Sequence, residues 1–355
     1  MPIAMKRRIL HTGSLKGGET SFYRYNALQR LGHDVIPFDL RKYLFKLQKM
    51  NAIAFHFPMG PLVARINADL LEAVKREKPD VVWFDRPIQF TPDTVRRIKA
   101  SGAQTVCYNQ ENPFGPRNDG CWYQFNRMYR MLDLHCLIRD ADVPRYKEWG
   151  LNTIRTQHSY DPAQHFPPPE GWSDADRIYE VSYIGSLRED RPQFLRALFE
   201  THKLPLSIFS GGWEKVLTND ECRRYMRGGV LRDAEYRETI WKSKINLAFV
   251  THKNEEDVAH KAFEIAACGS FLLALRTPGH EKYFEEGKEA EFFSSPEECA
   301  EKIRYYLDHP AEREEIAKRG CERAKRDGYD NDTQLKRIMD KLEELRVPGG
   351  KSAGA

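Results

Sequence analysis

The chain has 355 residues, of which 41% are hydrophobic and 30% charged, so it is long enough for two globular domains and carries no compositional sign of disorder. Its formal net charge of +4 is too small to indicate nucleic-acid binding, and it permits at most a peripheral contact with an anionic membrane surface. No stretch approaches the roughly 18 apolar residues of a membrane span. We therefore expect a soluble protein. The seven cysteines form no C-x-x-C pair, so a zinc site is not expected, and their odd number suits a reducing cytoplasm.

Short apolar runs alternate with helical patterns along the first part of the chain. A strand over 8–13 is followed by a helix over 20–31, which Gly32 ends. Further strands are predicted at 33–38, 80–84, 104–108 and 132–138, and further helices at 70–78 and 91–101. This alternation predicts parallel strands with helices on both faces of the sheet.

The alternation breaks at a proline-rich segment. Three consecutive prolines from Pro167, followed by Gly171, exclude a helix interior or a central strand. We therefore predict a first domain over 1–165, a linker over 166–176 and a second domain over 177–330.

The alternation then resumes in the second domain. Strands are predicted at 179–184, 206–209, 245–250 and 271–275, and helices at 191–200, 233–243, 262–267, 296–307 and 311–327. A last helix over 331–345 is expected to pack back toward the first domain, ahead of a disordered tail over 346–355.

A glycine-serine turn follows the first predicted strand of the second domain. Gly185 and Ser186 form this turn, and Arg188 and Arg191 precede the next helix. At the carboxyl end of a parallel strand, backbone N–H groups and a helix start suit a phosphate, to which the arginines can add charge-assisted hydrogen bonds. Alternatively, these residues form a plain turn with solvated arginines.

Two carboxylates eight positions apart, Glu256 and Glu264, bracket the entry to another helix. A carboxylate in the first helical turn at Glu264 can accept two hydrogen bonds from a ribose diol, while Lys261 neutralises a nearby phosphate. Alternatively, acidic residues there serve only to complement the helix dipole.

The run from Glu256 to Tyr283 resembles the donor-binding segment of the group-1 glycosyltransferases, with their E-x7-E motif. Residues 263–273 and 277–284 resemble the CgeB-like branch of that group. The resemblance implies the GT-B fold, which is an α/β fold of two Rossmann-like, doubly wound parallel-sheet domains facing each other across a cleft. It also implies a nucleoside-diphosphate sugar as co-substrate and no other cofactor.

The family also implies roles for individual residues of the donor side. Glu264 would hold the donor ribose, and Glu256 would face the sugar or the reaction centre. Lys261 stands where the branch often has arginine, and a lysine loses the planar two-pronged donor. The remaining donor-side candidates line the diphosphate, hold the base through backbone, or belong to the glycine loop after the first strand: Gly185, Ser186, Arg188, Gly229, Val230, Phe263, Gly17 and Gly18.

Acceptor-side candidates lie in the first domain, up to the region just before the predicted linker. Asn109 and Glu111 follow a strand, so Glu111 is a candidate catalytic or acceptor-orienting carboxylate; the alternative is an ordinary turn at Asn112. Trp122 begins an aromatic group that either stacks on a sugar or packs into the core. His158 is a further acceptor candidate. The last catalytic candidate ends the first strand: His11.

We therefore expect an enzyme of glycan biosynthesis that transfers a sugar from a nucleoside-diphosphate sugar to a hydroxyl acceptor. The acceptor classes left open are a glycan, a lipid-linked acceptor and a small molecule. The E-x7-E motif favours retention of the anomeric configuration. No metal is expected, because no D-x-D element has a convincing metal-binding context; that at Asp174–Asp176 lies in the predicted linker. A nucleotide-sugar epimerase of the same fold and a non-catalytic nucleotide-sugar-binding protein remain as alternatives.

Overall fold

The computed structural model describes residues 5–46, 48–115 and 120–346. The chain divides into two compact units. The first unit runs to Gln157 and takes up the chain again from Asn331, and the second is His158–Asp330. Apart from Arg346, the tail predicted over 346–355 lies outside the described residues.

Among the described residues, the first unit contains a six-stranded sheet and seven α-helices. Its strands are β1 (Arg8–Gly13), β2 (Asp34–Asp39), β3 (Val81–Asp85), β4 (Gln104–Tyr108), β5 (Leu134–Leu137) and β6 (Thr153–Arg155). Its α-helices in the described residues are α1 (Thr20–Arg30), α2 (Gln48–His56), α3 (Pro61–Glu77), α4 (Pro92–Ala100), α5 (Tyr123–Met128), α6 (Asp142–Glu148) and a helix after the second unit, Asn331–Glu344. Short 3-10 helices lie at Leu40–Tyr43 and Tyr129–Met131.

The second unit contains another six-stranded sheet. Its strands are β7 (Tyr179–Ile184), β8 (Leu206–Phe209), β9 (Met226–Gly228), β10 (Ser243–Ala248), β11 (Leu272–Leu275) and β12 (Glu291–Phe293). Its helices are α7 (Arg191–Arg196), α8 (Asn219–Tyr225), α9 (Asp233–Trp241), α10 (His260–Ala267), α11 (Pro278–Tyr283), α12 (Pro296–Asp308) and α13 (Pro310–Arg326), so the chain's last helix is α14 (Asn331–Glu344).

All strand pairs of both sheets are parallel. The first sheet has the order β2-β1-β3-β4-β5-β6 and the second the order β12-β11-β10-β7-β8-β9. The strand order therefore reverses between β1 and β3 in the first unit, and between β7 and β10 in the second. Apolar clusters cover both faces of each sheet, as the doubly wound arrangement requires.

The proline-rich segment lies in the second unit, and the division between units falls after Gln157. Phe166 accepts a hydrogen bond of 2.8 Å at its carbonyl from the Trp241 indole, and the Trp172 ring packs against the same indole at 6.0 Å. These contacts order the segment on α9, although its prolines keep it out of regular structure.

Helix α14 packs on the first unit. Asp332 pairs with Arg30 of α1 at 2.6 Å, and the apolar face of α14, represented by Leu335 and Ile338, joins the cluster under β1 and β3. The chain thus returns to the first unit after completing the second.

The structure also shows elements that the apolar pattern does not predict. Helix α3 begins at Pro61 rather than near Leu70, and β6, β9 and β12 have only three residues each. Three-residue strands are too short for a periodic pattern, so they form only because a longer neighbouring strand is already in place.

Gly320 of α13 allows that helix to pack closely against α10. A methyl group at this position would overlap the backbone carbonyl of Glu289 and lie 4.0 Å from the Ala266 methyl. We expect Gly320→Ala to destabilise the fold by about 1–3 kcal/mol through overpacking, although alanine has the higher helix propensity. Urea unfolding measures the change, with Lys318→Ala at an exposed position of the same helix as the control. A Gly320→Ala variant as stable as the wild type contradicts the close approach.

Candidate functional site

The candidate site of the second unit lies where its strand order reverses. The carboxyl ends of β7 and β10 are adjacent there, because β7 pairs with β10 through Ile245 and Asn246. In open parallel sheets such a reversal leaves room for a ligand beyond the strand ends. The loops 185–190 and 249–259 and the start of α10 surround this point.

Arg191, the first residue of α7, is a buried cation at this point. It is 7% exposed, and its guanidinium donates to the Tyr183 hydroxyl at 3.0 Å, the Val250 carbonyl at 2.9 Å and the Thr251 hydroxyl at 3.2 Å. All three acceptors are neutral, and its buried Nε has no hydrogen-bond partner among the described residues. A buried guanidinium without a carboxylate partner leaves a positive charge available to an anion.

Lys261 provides a second positive charge. Its amine donates to the carbonyl of Ile184, the last residue of β7, and lies 5.0 Å from the centre of the Tyr236 ring. Burial lowers the pKa of Lys261 to about 8, with a smaller contribution from the Arg191 guanidinium and partial compensation by the Glu264 carboxylate. We call Arg191 and Lys261 the basic pair.

Glu264 lies beside the basic pair in the second turn of α10, one turn later than expected, because the helix begins at His260 rather than at Ala262. Its carboxylate accepts a hydrogen bond of 2.6 Å from the Tyr236 hydroxyl, and it lies 3.7 Å from Nε2 of both His165 and His260. Burial alone would raise the pKa of this carboxyl. The charges of His260, His165 and Lys261 and the tyrosine hydrogen bond outweigh burial and lower the pKa to about 2.

The glycine-serine turn lies against this cluster. Gly185 is buried, and a methyl group there would overlap the Tyr183 hydroxyl, which itself donates to the Ser186 carbonyl at 3.3 Å. Only glycine therefore fits the turn. The Trp213 indole donates to the Gly185 carbonyl at 2.9 Å, so the loop after β8 supports it. Ser186 and Arg188 are exposed, which leaves Arg188 at the edge of the site.

Glu256 closes the loop after β10. Its two carboxylate oxygens accept hydrogen bonds from the Thr251 amide at 2.9 Å and the Asn254 side chain at 3.0 Å. Through Thr251 this loop also contacts Arg191. Glu256 is thus placed near the basic pair, although in this structure both oxygens hold its own loop.

The neighbouring turn carries one group with metal-ligand chemistry. The ligand atoms of Glu189, Asp190 and His252 lie within 4.8 Å of one another. Glu189 already accepts hydrogen bonds from the His252 and Lys253 amides at 2.9 and 2.8 Å, so its carboxylate ties loop 185–190 to loop 249–259.

The loop after β9 presents backbone at the same sheet edge. A methyl group at Gly229 would meet no atom within 4 Å, and Val230 is 62% exposed. The Val230 side chain lies 4.0 Å from the position of a methyl group at Gly211, in the loop after β8. The segment is open enough for backbone contact with a ligand.

Two expected site residues lie in different surroundings. Phe263 is fully buried and packs edge-on against Tyr283 and Tyr329, so its side chain belongs to the core and does not reach a ligand. His158 is buried in the second unit, and its ring stacks on His260 at 4.9 Å. Through His260 it adjoins the Glu264 carboxylate.

In the first unit, the glycine loop follows β1 at the reversal between β1 and β3. Gly18 has φ +79°, a left-handed conformation that favours glycine, and Gly17 precedes it. The loop is anchored at Leu15, whose amide donates to Asp39 at 3.2 Å and whose carbonyl accepts from Arg41 at 3.0 Å.

Asn109 and Glu111 lie just beyond the carboxyl end of β4. The Asn109 side chain accepts a hydrogen bond of 3.2 Å from the Glu111 amide, and the Glu111 carboxylate pairs with Arg86 at 2.7 Å. The buried Arg139 donates to the carbonyls of Gln110 and Glu111 at 3.1 and 2.8 Å, which holds the turn in place. Glu111 is 26% exposed and remains accessible.

His11 and Trp122 are core residues of the first unit. The His11 ring has no exposed surface and lies between Trp83, stacked at 6.1 Å, and Tyr25, edge-on at 5.9 Å. Burial lowers the pKa of His11 to about 4, so the ring is neutral at physiological pH, and the expected catalytic role does not fit this position. Trp122 is 4% exposed and packs against Phe125, which excludes a sugar-stacking wall at its ring.

Sequence reasoning did not identify Tyr236 and His165 as site residues. Both contact Glu264, from 28 and 99 positions away along the chain, and neither carries a local motif. The resemblance assigns the diphosphate role to Arg188, whereas the structure buries Arg191, because the turn contains no signal for which arginine becomes buried.

Comparisons with known proteins agree with this architecture. Residues 188–340 match a protein family described as glycosyl transferase-like, and this segment includes the basic pair and Glu264. No curated protein matches the sequence.

Solved structures similar to the chain share its fold. HepE from Anabaena, in complex with UDP, has 12% identity and a TM-score of 0.60, with 96% of this chain and 100% of that chain covered. Sucrose-phosphate synthase from Thermosynechococcus elongatus has 13% identity and a TM-score of 0.63, with coverage of 94% and 98%. A putative UDP-N-acetylglucosamine 2-epimerase from Listeria monocytogenes has 11% identity and a TM-score of 0.56, with coverage of 96% of both. The predicted α/β GT-B fold class is confirmed.

The depressed pKa of Lys261 is directly measurable. We expect the Lys261 side chain to titrate at a pKa of about 8 in lysine side-chain NMR, with Lys261→Arg identifying its signal. Glu264→Gln removes the carboxylate that partly compensates for burial, so the Lys261 pKa falls further in that variant. A Lys261 signal that titrates at its ordinary 10.5, or that does not respond to Glu264→Gln, contradicts the described coupling.

Proposed function

We propose that the protein is a glycosyltransferase, of the CgeB-like branch, that moves a sugar from a nucleoside-diphosphate sugar to a hydroxyl acceptor. The observation that carries the proposal is the basic pair beside Glu264 at the strand reversal of the second unit. The family match over residues 188–340 and the UDP complex of HepE support it.

The basic pair would bind the diphosphate of the donor. Arg191 and Lys261 have no carboxylate within ion-pair distance in the described part of the chain, so their charges are compensated only in part, by the more distant carboxylates of Glu189 and Glu264. Breaking the anomeric bond transfers negative charge to the leaving diphosphate. Two oriented cations in a desolvated site stabilise that charge more in the transition state than in the ground state.

Glu264 would accept hydrogen bonds from the ribose hydroxyls. Its carboxylate stays ionised at physiological pH, because its pKa is about 2, and Tyr236 fixes its orientation. Backbone at Gly229 and Val230 would contact the base, and Gly185, Ser186 and Arg188 would line the diphosphate. Glu256 would contact the donor sugar after its carboxylate is released from its own loop. Glu111, together with Asn109, would contact the acceptor.

Two alternatives to sugar transfer predict different products from the donor. A nucleotide-sugar epimerase would change the donor sugar without an acceptor, and the likeness to the putative epimerase from Listeria monocytogenes keeps this reading relevant. A non-catalytic binding protein would hold the donor and release it unchanged. Transfer to an added acceptor distinguishes the proposed function from both.

Glu264 can be tested with matched ligands and variants. A panel of nucleoside diphosphates at about 100 times Kd should first stabilise the protein by about 2.7 kcal/mol, a shift of several degrees in Tm. For the diphosphate that binds, we expect Glu264→Gln to weaken binding by about 1.5–3 kcal/mol, because a charged hydrogen bond is lost. Calorimetry with the ribo- and 2′,3′-dideoxy forms measures the coupling between carboxylate and diol.

The control is Glu235→Gln, which changes an exposed carboxylate on α9. In the wild type the dideoxy ligand should bind more weakly, whereas in Glu264→Gln the two forms should bind nearly equally. If both ligands lose the same affinity in Glu264→Gln, the carboxylate does not contact the ribose. If no diphosphate binds at all, the proposed function fails.

We further propose that transfer is metal-independent and retaining. The basic pair supplies the charge that a divalent ion would otherwise supply at the leaving group. We expect turnover to persist within about twofold in chelator, and Asp190→Asn, which alters the possible metal group, to leave it unchanged. Loss of turnover in chelator, with recovery in magnesium or manganese, would refute metal independence. NMR of the first-formed product reports the anomeric configuration, and an inverted product would refute retention.

A further inference from the structure

An apolar patch protrudes from the first unit between β2 and α3. Its members are large apolar side chains that are each between 41% and 62% exposed: Leu44, Met50, Ile53, Phe57 and Met59. They fall within 16 consecutive positions and account for nearly half of the exposed large apolar side chains in the described residues. Concentration of this kind marks an interaction surface, whereas single exposed apolar residues are ordinary. We call these five residues the apolar patch.

Helix α2 gives the patch its shape. Met50, Ile53 and Phe57 follow the spacing of one helical face, and the Phe57 amide continues the helical pattern by donating to the Ile53 carbonyl at 2.8 Å. The opposite side of α2 is held by the unit, because Phe55 packs into its apolar cluster and lies 5.0 Å from the Arg86 guanidinium. The outward face is therefore a stable feature of the fold.

The chain on either side of α2 is tied down as well. The Asn51 side chain accepts from the Phe45 amide at 2.7 Å and donates to the Phe45 carbonyl at 2.9 Å. After the helix, the Pro58 carbonyl accepts a hydrogen bond of 2.9 Å from Gln124 of α5. These contacts hold the segments that carry Leu44 and Met59 in place on either side of α2.

Three lysines adjoin the apolar patch along the chain. Lys42, Lys46 and Lys49 are exposed and form no ion pair with other described residues. The sequence has no aspartate or glutamate between Asp39 and Asp69, although the whole chain carries 52 acidic residues. Residues 40–68 therefore form a positively charged segment, although the net charge of the whole chain is only +4.

We propose that the apolar patch and its three lysines dock on an anionic lipid surface. Basic residues around one apolar helix face are typical of helices that lie in the membrane interface. Interfaces between proteins are instead depleted in lysine, so the same composition disfavours a protein partner. At nine residues, α2 is too short to cross a bilayer, and none of the helices in the described chain combines the length and apolar character of a span.

Docking of this kind is reversible and depends on salt. Apolar side chains enter the boundary between headgroups and acyl chains, while the ammonium groups remain at the level of the lipid phosphates. Attraction of the lysines to the surface is screened by added ions within about 10 Å at 0.1 M salt. Binding should therefore require both the apolar residues and the anionic lipid.

Vesicle flotation with the full chain tests the proposal. Vesicles of phosphatidylcholine alone are compared with vesicles in which about one lipid molecule in three is phosphatidylglycerol. Both are tested at low and at high salt. We expect binding only to the anionic vesicles, with loss at high salt. Ile53→Glu/Phe57→Glu should abolish it, and Lys46→Gln/Lys49→Gln should lower the partition coefficient about 25-fold, since each lysine near such a surface contributes about fivefold.

Matched controls change similar residues elsewhere. Ile178→Glu alters an apolar side chain that is 67% exposed in the second unit, and Lys75→Gln/Lys318→Gln removes two exposed lysines outside the patch. These controls should bind anionic vesicles like the wild type, and thermal unfolding confirms that all variants are folded.

Three results would overturn the proposal: no flotation with anionic vesicles at low salt, equal flotation with neutral vesicles, or unchanged flotation of the patch variants.

Sedimentation velocity tests the competing occupant of the apolar patch, which is a second copy of this chain. Concentration-dependent association that Ile53→Glu/Phe57→Glu removes, without vesicle binding, would make the apolar patch an interface between copies of this chain instead. Nucleotide binding by the second unit is measured separately, so failure of membrane docking leaves the proposed function unaffected.

Discussion

The site of the second unit depends on the parallel arrangement of its sheet. Because every strand runs the same way, the carboxyl ends of β7 and β10 lie at one edge, and the reversal of strand order between them opens a space that crossover helices do not fill. Arg191 and Lys261 enter this space from two helices that follow those strands. A different strand order would separate the two cations, even with the same local turns.

Burial of charge distinguishes this edge from an ordinary loop cluster. An isolated buried cation is unfavourable, and the structure reduces that cost with neutral acceptors, such as the Tyr183 hydroxyl and the Ile184 carbonyl, rather than with carboxylates. Glu264 compensates only in part, and Lys261 keeps a lowered pKa of about 8. A diphosphate would complete the compensation, which gives a physical reason for ligand binding to stabilise this unit.

The proposed membrane contact and the proposed sugar transfer use different parts of the molecule. The apolar patch belongs to the first unit and the basic pair to the second, so neither proposal requires the other.

Much of the fold follows from local pattern. The strands over 8–13, 104–108 and 179–184 are apolar runs bounded by turn residues, and the structure has them at those positions. By contrast, α2 lacks a strong apolar face toward the core, and its outward residues Met50 and Ile53 resemble core positions in sequence. Whether an apolar residue faces the core or the solvent depends on what packs beside its helix, which local pattern does not contain.

The sequence by itself determined the alternating architecture and the chemistry of one segment, since the motif from Glu256 to Glu264 and the turn at Gly185 are local features. Only the tertiary structure decided which residues act together. It buried Arg191 and exposed Arg188, placed Tyr236 and His165 against Glu264, and enclosed His11 and Phe263 in the core. The physical reason is that burial and charge compensation arise from contacts between segments far apart in the chain, and these contacts exist only after the sheets have assembled.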